Sequence, residues 1–380
     1  MNAQALSLEE LGARLKLARS AAGLTQDAAA VEMGFARTTL TAIENGQRKV
    51  KPEELVTFAK LYKTTVSRLI SAERIHVDLA TRFRRVEEGA ELGPDERYAI
   101  DLLTRMAAAS VELERIAGTP LRQDYPPPLQ LRAAAVAAQA EDAAAAFRQR
   151  LGVGLGPIAD FASVLEFELG VRVFMRPLPS KISGVYAFDP AVGACILINA
   201  HHPRVRRRNS LAHECAHFVA SRIHADVFSE EDERYVALEE RFAKRFATSL
   251  LMPAPTVRRR FEDIAGAEGG FKVRHLIVLR HAFGVATQSM CLRLEELDLV
   301  PSGQWESIKR RGYGPQFDAQ VLGDPQPEEP PPILAPRLAN LAALAIEKEA
   351  LSEGQLCDML ALERTELRIV LDTVGALDGE

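Results

Sequence analysis

His213-Glu214-Cys215-Ala216-His217 sets two imidazoles four residues apart, with a carboxylate beside the first. On a helix, positions i and i+4 share one face about a turn apart, so both rings can grip one divalent cation. Zinc held in this way acidifies a water in its open position, and an adjacent carboxylate is the general base for amide hydrolysis. The flanking Leu211, Ala212, Ala216, Phe218 and Val219 are apolar, as a buried helix requires. A catalytic zinc takes three protein ligands and keeps one position open. Glu240, 23 residues past His217, is a candidate third ligand on a second helix striped by Phe242, Phe246 and Leu250. Glu239 and the acids at 230–233 are alternatives.

Other ionisable residues near this motif carry weaker chemistry. His201 and His202 precede an arginine run, Arg204 and Arg206 to Arg208, which is either a solvated face or a docking surface for an acidic partner. His224 lies two turns beyond His217, and Tyr235 is a possible oxyanion donor. Cys215 falls off the ligand face and reads as a small packing residue.

The surrounding pattern is mainly α with a small β-sheet, an α+β class. An Ala-rich helix spans residues 131–151, and Pro157 opens another from Ile158 to Leu169. Strand-like runs follow at 171–175, 184–188 and 194–198, the last two joined by the turn dipeptide Asp189-Pro190. Helix returns at Asn209 and dominates to Leu299. Residues 73–130 read as a helical connector ending at Pro126-Pro127-Pro128. Residues 313–336 read as an extended Pro-rich linker, and 337–380 as a helical tail.

The sequence "HECAH" followed by "ERFAKRFATSLLMP", with the approach "RVRRRNSLAHE", resembles the ImmA/IrrE metallopeptidases of bacteria and their mobile elements. The segment "FGVATQSMCLRLEELDLV" resembles the helical part that follows the peptidase in that family, so the likeness covers about 131–312, with the peptidase over 131–253 and an HTH-like helical segment over 254–312. It implies a gluzincin-like fold with the HExxH helix, zinc ligands His213, His217 and Glu240, and Glu214 as general base. One Zn2+ per chain follows. The family commonly carries Asn or Asp four residues after the ligand glutamate, where this chain has Lys244. That replaces a hydrogen-bonding partner of the ligand shell with a cation and points to weak or signal-dependent activity.

Residues 1–72 read as five short helices. Leu8, Leu11, Leu15 and Ala18 recur at helical spacing, Thr25 caps the second helix, Gly34 makes a turn, and the third helix runs from Arg37 to Glu44. Pro52 opens a fourth, and the last covers Val66 to Ile70. Leu24-Thr25-Gln26, Gly34 and Ile43-Glu44-Asn45-Gly46-Gln47-Arg48 resemble the Cro/cI-repressor type helix-turn-helix, the Xre family. In that geometry Arg37, Thr38, Thr39 and Thr41 face base edges in the major groove. Gln26, Asn45, Arg48 and Lys49 sit at helix ends suited to phosphate. Ten basic residues against seven acidic ones in the first 70 make this module positive inside a chain of net charge −5.

The 380 residues are enough for two or three domains, and 47% hydrophobic with 26% charged composition excludes wholesale disorder. No apolar run reaches the roughly 20 residues that span a bilayer. Four scattered cysteines give neither a disulfide framework nor a cysteine zinc cluster. The expectation is a cytoplasmic transcriptional regulator, a DNA-binding head on a zinc metallopeptidase body. Its partners are a double-stranded DNA operator, a protein substrate of the repressor type and a second copy in a homodimer. The alternatives are a metal or ligand sensor without hydrolysis, favoured by Lys244, and an antitoxin-like regulator.

Overall fold

The computed structural model describes residues 7–62, 64, 66, 69, 93–220, 222, 226–229, 238–323 and 328–378. The chain divides into two compact units, Met1–Ile75 and His76–Glu380. In the first, α1 (Leu8–Ala21) starts at a capping box: Glu10 N donates to Ser7 Oγ at 3.1 Å, and Ser7 N to the Glu10 carboxylate at 2.9 Å. Thr25 caps α2 (Gln26–Glu32), and Gly34 turns the chain with φ 69° into α3 (Arg37–Glu44). Pro52 opens α4 (Pro52–Leu61). Leu15, Leu40, Ile43 and Phe58 close the core of this unit. The expected fifth helix falls partly outside the described residues, although Leu69 is buried in the same core.

The second unit is built on a mixed sheet. After α5 (Pro94–Ala117), a 3-10 turn (Ala133–Ala135) leads into α6 (Val136–Arg150). A short helix α7 (Phe161–Val164) widens into a π turn at Leu165–Leu169. Strands β1 (Arg172–Arg176), β2 (Ile182–Asp189), β3 (Gly193–Asn199) and β4 (Asp226–Ser229) then take the order β1-β3-β2-β4. β1 pairs parallel to β3, and β2 pairs antiparallel to both β3 and β4. The expected hairpin is present: Asp189 pairs with Gly193, and Asp189 Oδ1 accepts from Ala191 N at 2.8 Å. β3 is buried along its whole length, as an apolar strand covered on both faces must be.

Helices cover the two faces. On one lie α6, α8 (Arg204–Ala220) and α9 (Leu238–Leu251), against Val173, Tyr186, Ile196 and Ile198. The helices α10 (Ala254–Ala267), α11 (Val273–Phe283), α12 (Thr287–Glu296), α13 (Gln304–Arg310) and α14 (Pro315–Leu322) continue from that side. On the other face, α5 packs with α15 (Pro336–Glu347), α16 (Glu353–Leu360) and α17 (Arg364–Asp378) over Phe174, Val185, Cys195 and Leu197. Among the described residues no helix is long and apolar enough to cross a membrane.

Four local expectations change. The HExxH helix starts at Arg204, where the Glu328 carboxylate accepts from the Arg204 amide at 2.8 Å and caps the first turn. β4 interrupts the expected helical stretch. Ile158 to Leu169 is not one helix, because Asp160 caps a new start by accepting from Ser163 N at 3.2 Å. The expected linker contains α14, anchored where Asp318 accepts from the Tyr313 hydroxyl at 2.7 Å and pairs with Arg280 at 2.8 Å.

Candidate metal centre

The HExxH residues occupy the buried middle of α8, where His213, Glu214 and His217 are at most 4% exposed. The two histidine Nε2 atoms stand 3.2 Å apart, and Glu240 Oε1 from α9 lies 3.4 Å from each. Tetrahedral zinc with bonds of about 2.0–2.1 Å needs donors about 3.3 Å apart along each edge. The observed triangle is one face of such a tetrahedron. Burial would raise the Glu240 carboxyl, but the two imidazoles outweigh it and hold it below its ordinary range. Burial also lowers the His213 imidazole. Anionic carboxylate and neutral imidazole are the forms that ligate a metal. Among the described residues no other cluster of His, Cys, Asp and Glu has this spacing.

Glu214 points toward the sheet, where Gly184 of β2 makes room for it. A Cβ on Gly184 would lie 2.9 Å from Glu214 Oε1 and 3.0 Å from its Cγ. The pairing of β2 with β4 is also irregular at this point, between Ile182 and Gly184. We expect Gly184→Ala to displace the Glu214 side chain while the metal triangle stays intact. Zinc stoichiometry by mass spectrometry should hold, while thermal unfolding of the zinc-free and zinc-loaded chain drops equally, by about 1–3 kcal/mol. A variant as stable as the parent would show that Glu214 is not held by this contact.

Helix α9 presents Glu240 because Phe242, Phe246 and Leu250 fix its rotation by burying an apolar stripe in the core shared with α6 and α8. Two buried arginines then bind the carbonyls at its end. Arg148 Nη1 donates to Leu250 O, and its other nitrogens donate to the carbonyls of Gly154, at 2.7 Å, and Gly156. Arg293, fully buried, donates through Nε to Met252 O at 3.1 Å and pairs with Glu141 and Glu296. Neither arginine stands out in the sequence: Arg148 has Arg150 two residues on in α6, and Arg293 is followed by Glu295 and Glu296 in α12. Lys244 sits one turn after Glu240, with its Nζ 4.0 Å from Glu240 Oε2 and its side chain largely in solvent.

The remaining candidates separate. Arg207 donates to His202 O at 2.6 Å, Arg208 to Ile158 O at 2.9 Å, and Arg206 to Ser183 Oγ at 3.2 Å. Three of the four arginines of that run are thus turned inward to hold α8 against its neighbours. His202 is buried beside Asn199 and Ser180 O, whereas His201 is exposed. Cys215 is fully buried in the core. His224, Tyr235 and the acids at 230–233 lie outside the described residues.

In the N-terminal unit, Arg37 and Thr38 are exposed on the first turn of α3, with Thr39 and Thr41 half-buried beside them. Arg37 lies 3.3 Å from Asp27, and the Thr41 hydroxyl donates to Arg37 O at 3.0 Å. Gln26 donates to the Glu44 carboxylate at 2.7 Å, which also receives Arg19 at 2.6 Å. Arg48 pairs with Glu54 at 2.8 Å and stacks over Phe35. Asn45 and Lys49 are exposed.

Residues 167–295, which contain all four residues of the centre, match a peptidase family model described as the IrrE N-terminal-like domain. Residues 10–69 match a helix-turn-helix domain model. The chain joins these two domains. No curated protein matches it. The helix-turn-helix match spans α1 to α4, and the IrrE-like match runs from the π turn before β1 to the end of α12.

Proposed function

We propose that this chain is a DNA-binding regulator whose IrrE-like domain is a zinc peptidase acting on a protein of the repressor type. The observation that carries the reading is the donor triangle of His213 and His217 on α8 with Glu240 on α9, with Glu214 next to His213 on the same buried helix. Bound there, zinc would supply Lewis-acid activation of a peptide carbonyl. Glu214 holds and passes the proton, and the two imidazoles and Glu240 keep the ligand shell in place. The helix-turn-helix domain brings the chain to a double-stranded operator, read by Arg37, Thr38, Thr39 and Thr41 of α3. We take the working form to be a cytoplasmic homodimer. The test is paired: metal analysis of the purified chain, and cellular output of the wild type against Glu214→Gln. A zinc-free wild type would remove the peptidase reading.

A second reading is a metal sensor without hydrolysis, and Lys244 favours it. Its ammonium draws charge from the outer oxygen of Glu240, and disturbance of a residue behind a ligand commonly costs 10- to 100-fold in affinity or activity. Lys244→Asn should therefore tighten zinc binding measured by competition with a chelating dye. Unchanged or weaker binding would assign Lys244 no part in tuning the centre.

For the head, Lys49→Ala should weaken binding evenly across sequences and lower the salt slope by about one. Arg48 is shared with Glu54, so Arg48→Ala should also destabilise the unit. Arg37→Ala should shift which operator is preferred. Indistinguishable Arg37 and Lys49 variants on an operator panel would rule out α3 as the reader.

A further inference from the structure

The loop between α6 and α7 and the π turn before β1 enclose an open pocket of about 380 Å³. Its wall is formed by Val153, Pro157, Ile158, Val164 and Phe167, and Asp160 and Glu168 stand on its polar side. The π turn buries Leu165, Glu166 and Leu169 and turns Phe167 and Glu168 outward together. Phe167 is 65% exposed, and Leu155, between Val153 and Pro157 in the loop, is 52% exposed. Single exposed apolar side chains are ordinary on a protein surface, but these two flank one pocket on a backbone that is tied down. Arg148 holds the carbonyls of Gly154 and Gly156, Thr256 Oγ1 donates to Leu155 O at 2.9 Å, and Arg208 donates to Ile158 O at 2.9 Å. Side chains of α6, α8 and α10 thus fix this loop in place. A partner binding here has little backbone to order, which favours association.

Charge selects the occupant. Residues 152–169 contain Asp160, Glu166 and Glu168 and no lysine or arginine. Glu166 is buried, whereas Asp160 and Glu168 are exposed at the pocket. A fitting partner brings a large apolar side chain with positive charge beside it, and an acidic one is repelled. DNA-binding proteins offer such segments, because neutralising phosphate requires a basic surface. The head of this chain is an example: Leu17 of α1 is 50% exposed, Lys16 beside it is exposed, and Arg14 is half-exposed three residues earlier. The braces of the pocket also lead to the metal centre. Arg208 lies five residues before His213 on α8, and Arg148 holds Leu250 O, ten residues after Glu240 on α9. Those separations are about 7.5 and 15 Å of helix rise, lengths that an extended segment of about five residues covers.

We propose that this pocket is an exosite, where a protein substrate of the zinc centre docks a large apolar side chain flanked by lysine or arginine. The inference rests on the peptidase reading for the identity of its occupant, while the binding it describes needs no metal. The probe is a short fluorescent peptide with one leucine between lysine pairs, titrated by anisotropy into the full chain and into His213→Ala at low and high salt. Both proteins should bind it alike, and more weakly at high salt. Phe167→Ser should weaken binding on the order of 10-fold. Glu168→Lys should weaken it by a similar factor and flatten the salt dependence. Both side chains are exposed, so folding should survive, which melting curves check. Ile369→Ser, at an exposed apolar position of α17, should change nothing. Peptides with serine for the leucine, or glutamate for the lysines, should not bind. Equal binding by wild type and Phe167→Ser, or by the lysine and glutamate peptides, overturns the inference. So does a wild type that ignores the peptide and sediments as a dimer separated by Phe167→Ser, since the occupant is then a second copy. Peptide binding by a wild type that takes up no zinc overturns the peptidase reading alone.

Discussion

His213→Ala and His217→Ala should each abolish stoichiometric zinc and lower the thermal midpoint of the IrrE-like unit by roughly 5–10 °C. A bound ion stabilises only the folded chain, by about 2.7 kcal/mol at a hundredfold excess over its dissociation constant. For a domain of this size each kcal/mol is worth about 2–4 °C. Glu240→Ala should resemble the histidine variants, because its Oε1 completes the triangle at 3.4 Å from both imidazoles. Glu214→Gln should keep both the zinc and the added stability while losing cleavage, since a base is not a ligand. The checks are metal content by mass spectrometry and melting curves with and without a chelator. Zinc loss in Glu214→Gln as complete as in His213→Ala would make Glu214 a ligand and sink the role assignment.

The parts of this centre that are legible in sequence are the local ones. Helical period alone brings His213 and His217 to one face, so their pairing is written in five consecutive residues. The β2–β3 hairpin is equally local, signalled by Asp189-Pro190. Glu240 is reached across 23 residues, and spacing alone does not separate it from Glu239; the α9 stripe of Phe242, Phe246 and Leu250 turns Glu240 toward the imidazoles. The contact of Gly184 with Glu214 joins residues 30 apart on a strand and a helix, and no periodicity reports it. β4 has four residues, too few for an alternating pattern to stand out. The C-terminal helices show their apolar stripes plainly, but the face they cover is set by packing against α5 and the sheet. Resemblance to a repressor head and to a peptidase carried the domain identities, and the matches to residues 10–69 and 167–295 agree with it.

Arg148→Met should destabilise the second unit by about 2–4 kcal/mol. The guanidinium is 2% exposed, and burial pushes it down to about 10, so it remains charged at neutral pH. It is held in place by the carbonyls of Gly154, Gly156 and Leu250. Methionine matches its length and apolar stem but donates nothing, which leaves the buried Leu250 carbonyl unpaired at roughly 1–3 kcal/mol and frees the more exposed Gly154 and Gly156 carbonyls. Leu250 O ends the helix that carries Glu240, so the loss should also loosen zinc binding although every ligand is intact. Arg148→Lys keeps the charge, but one ammonium cannot reproduce the planar fork that spans two segments of chain, so it should fall between the two. Urea unfolding of the zinc-free chain reads the first effect, and chelator competition reads the second. A midpoint shift worth less than about 0.5 kcal/mol in Arg148→Met would mean that water or a rearranged glycine loop satisfies those carbonyls, and that α9 keeps its position without this clamp.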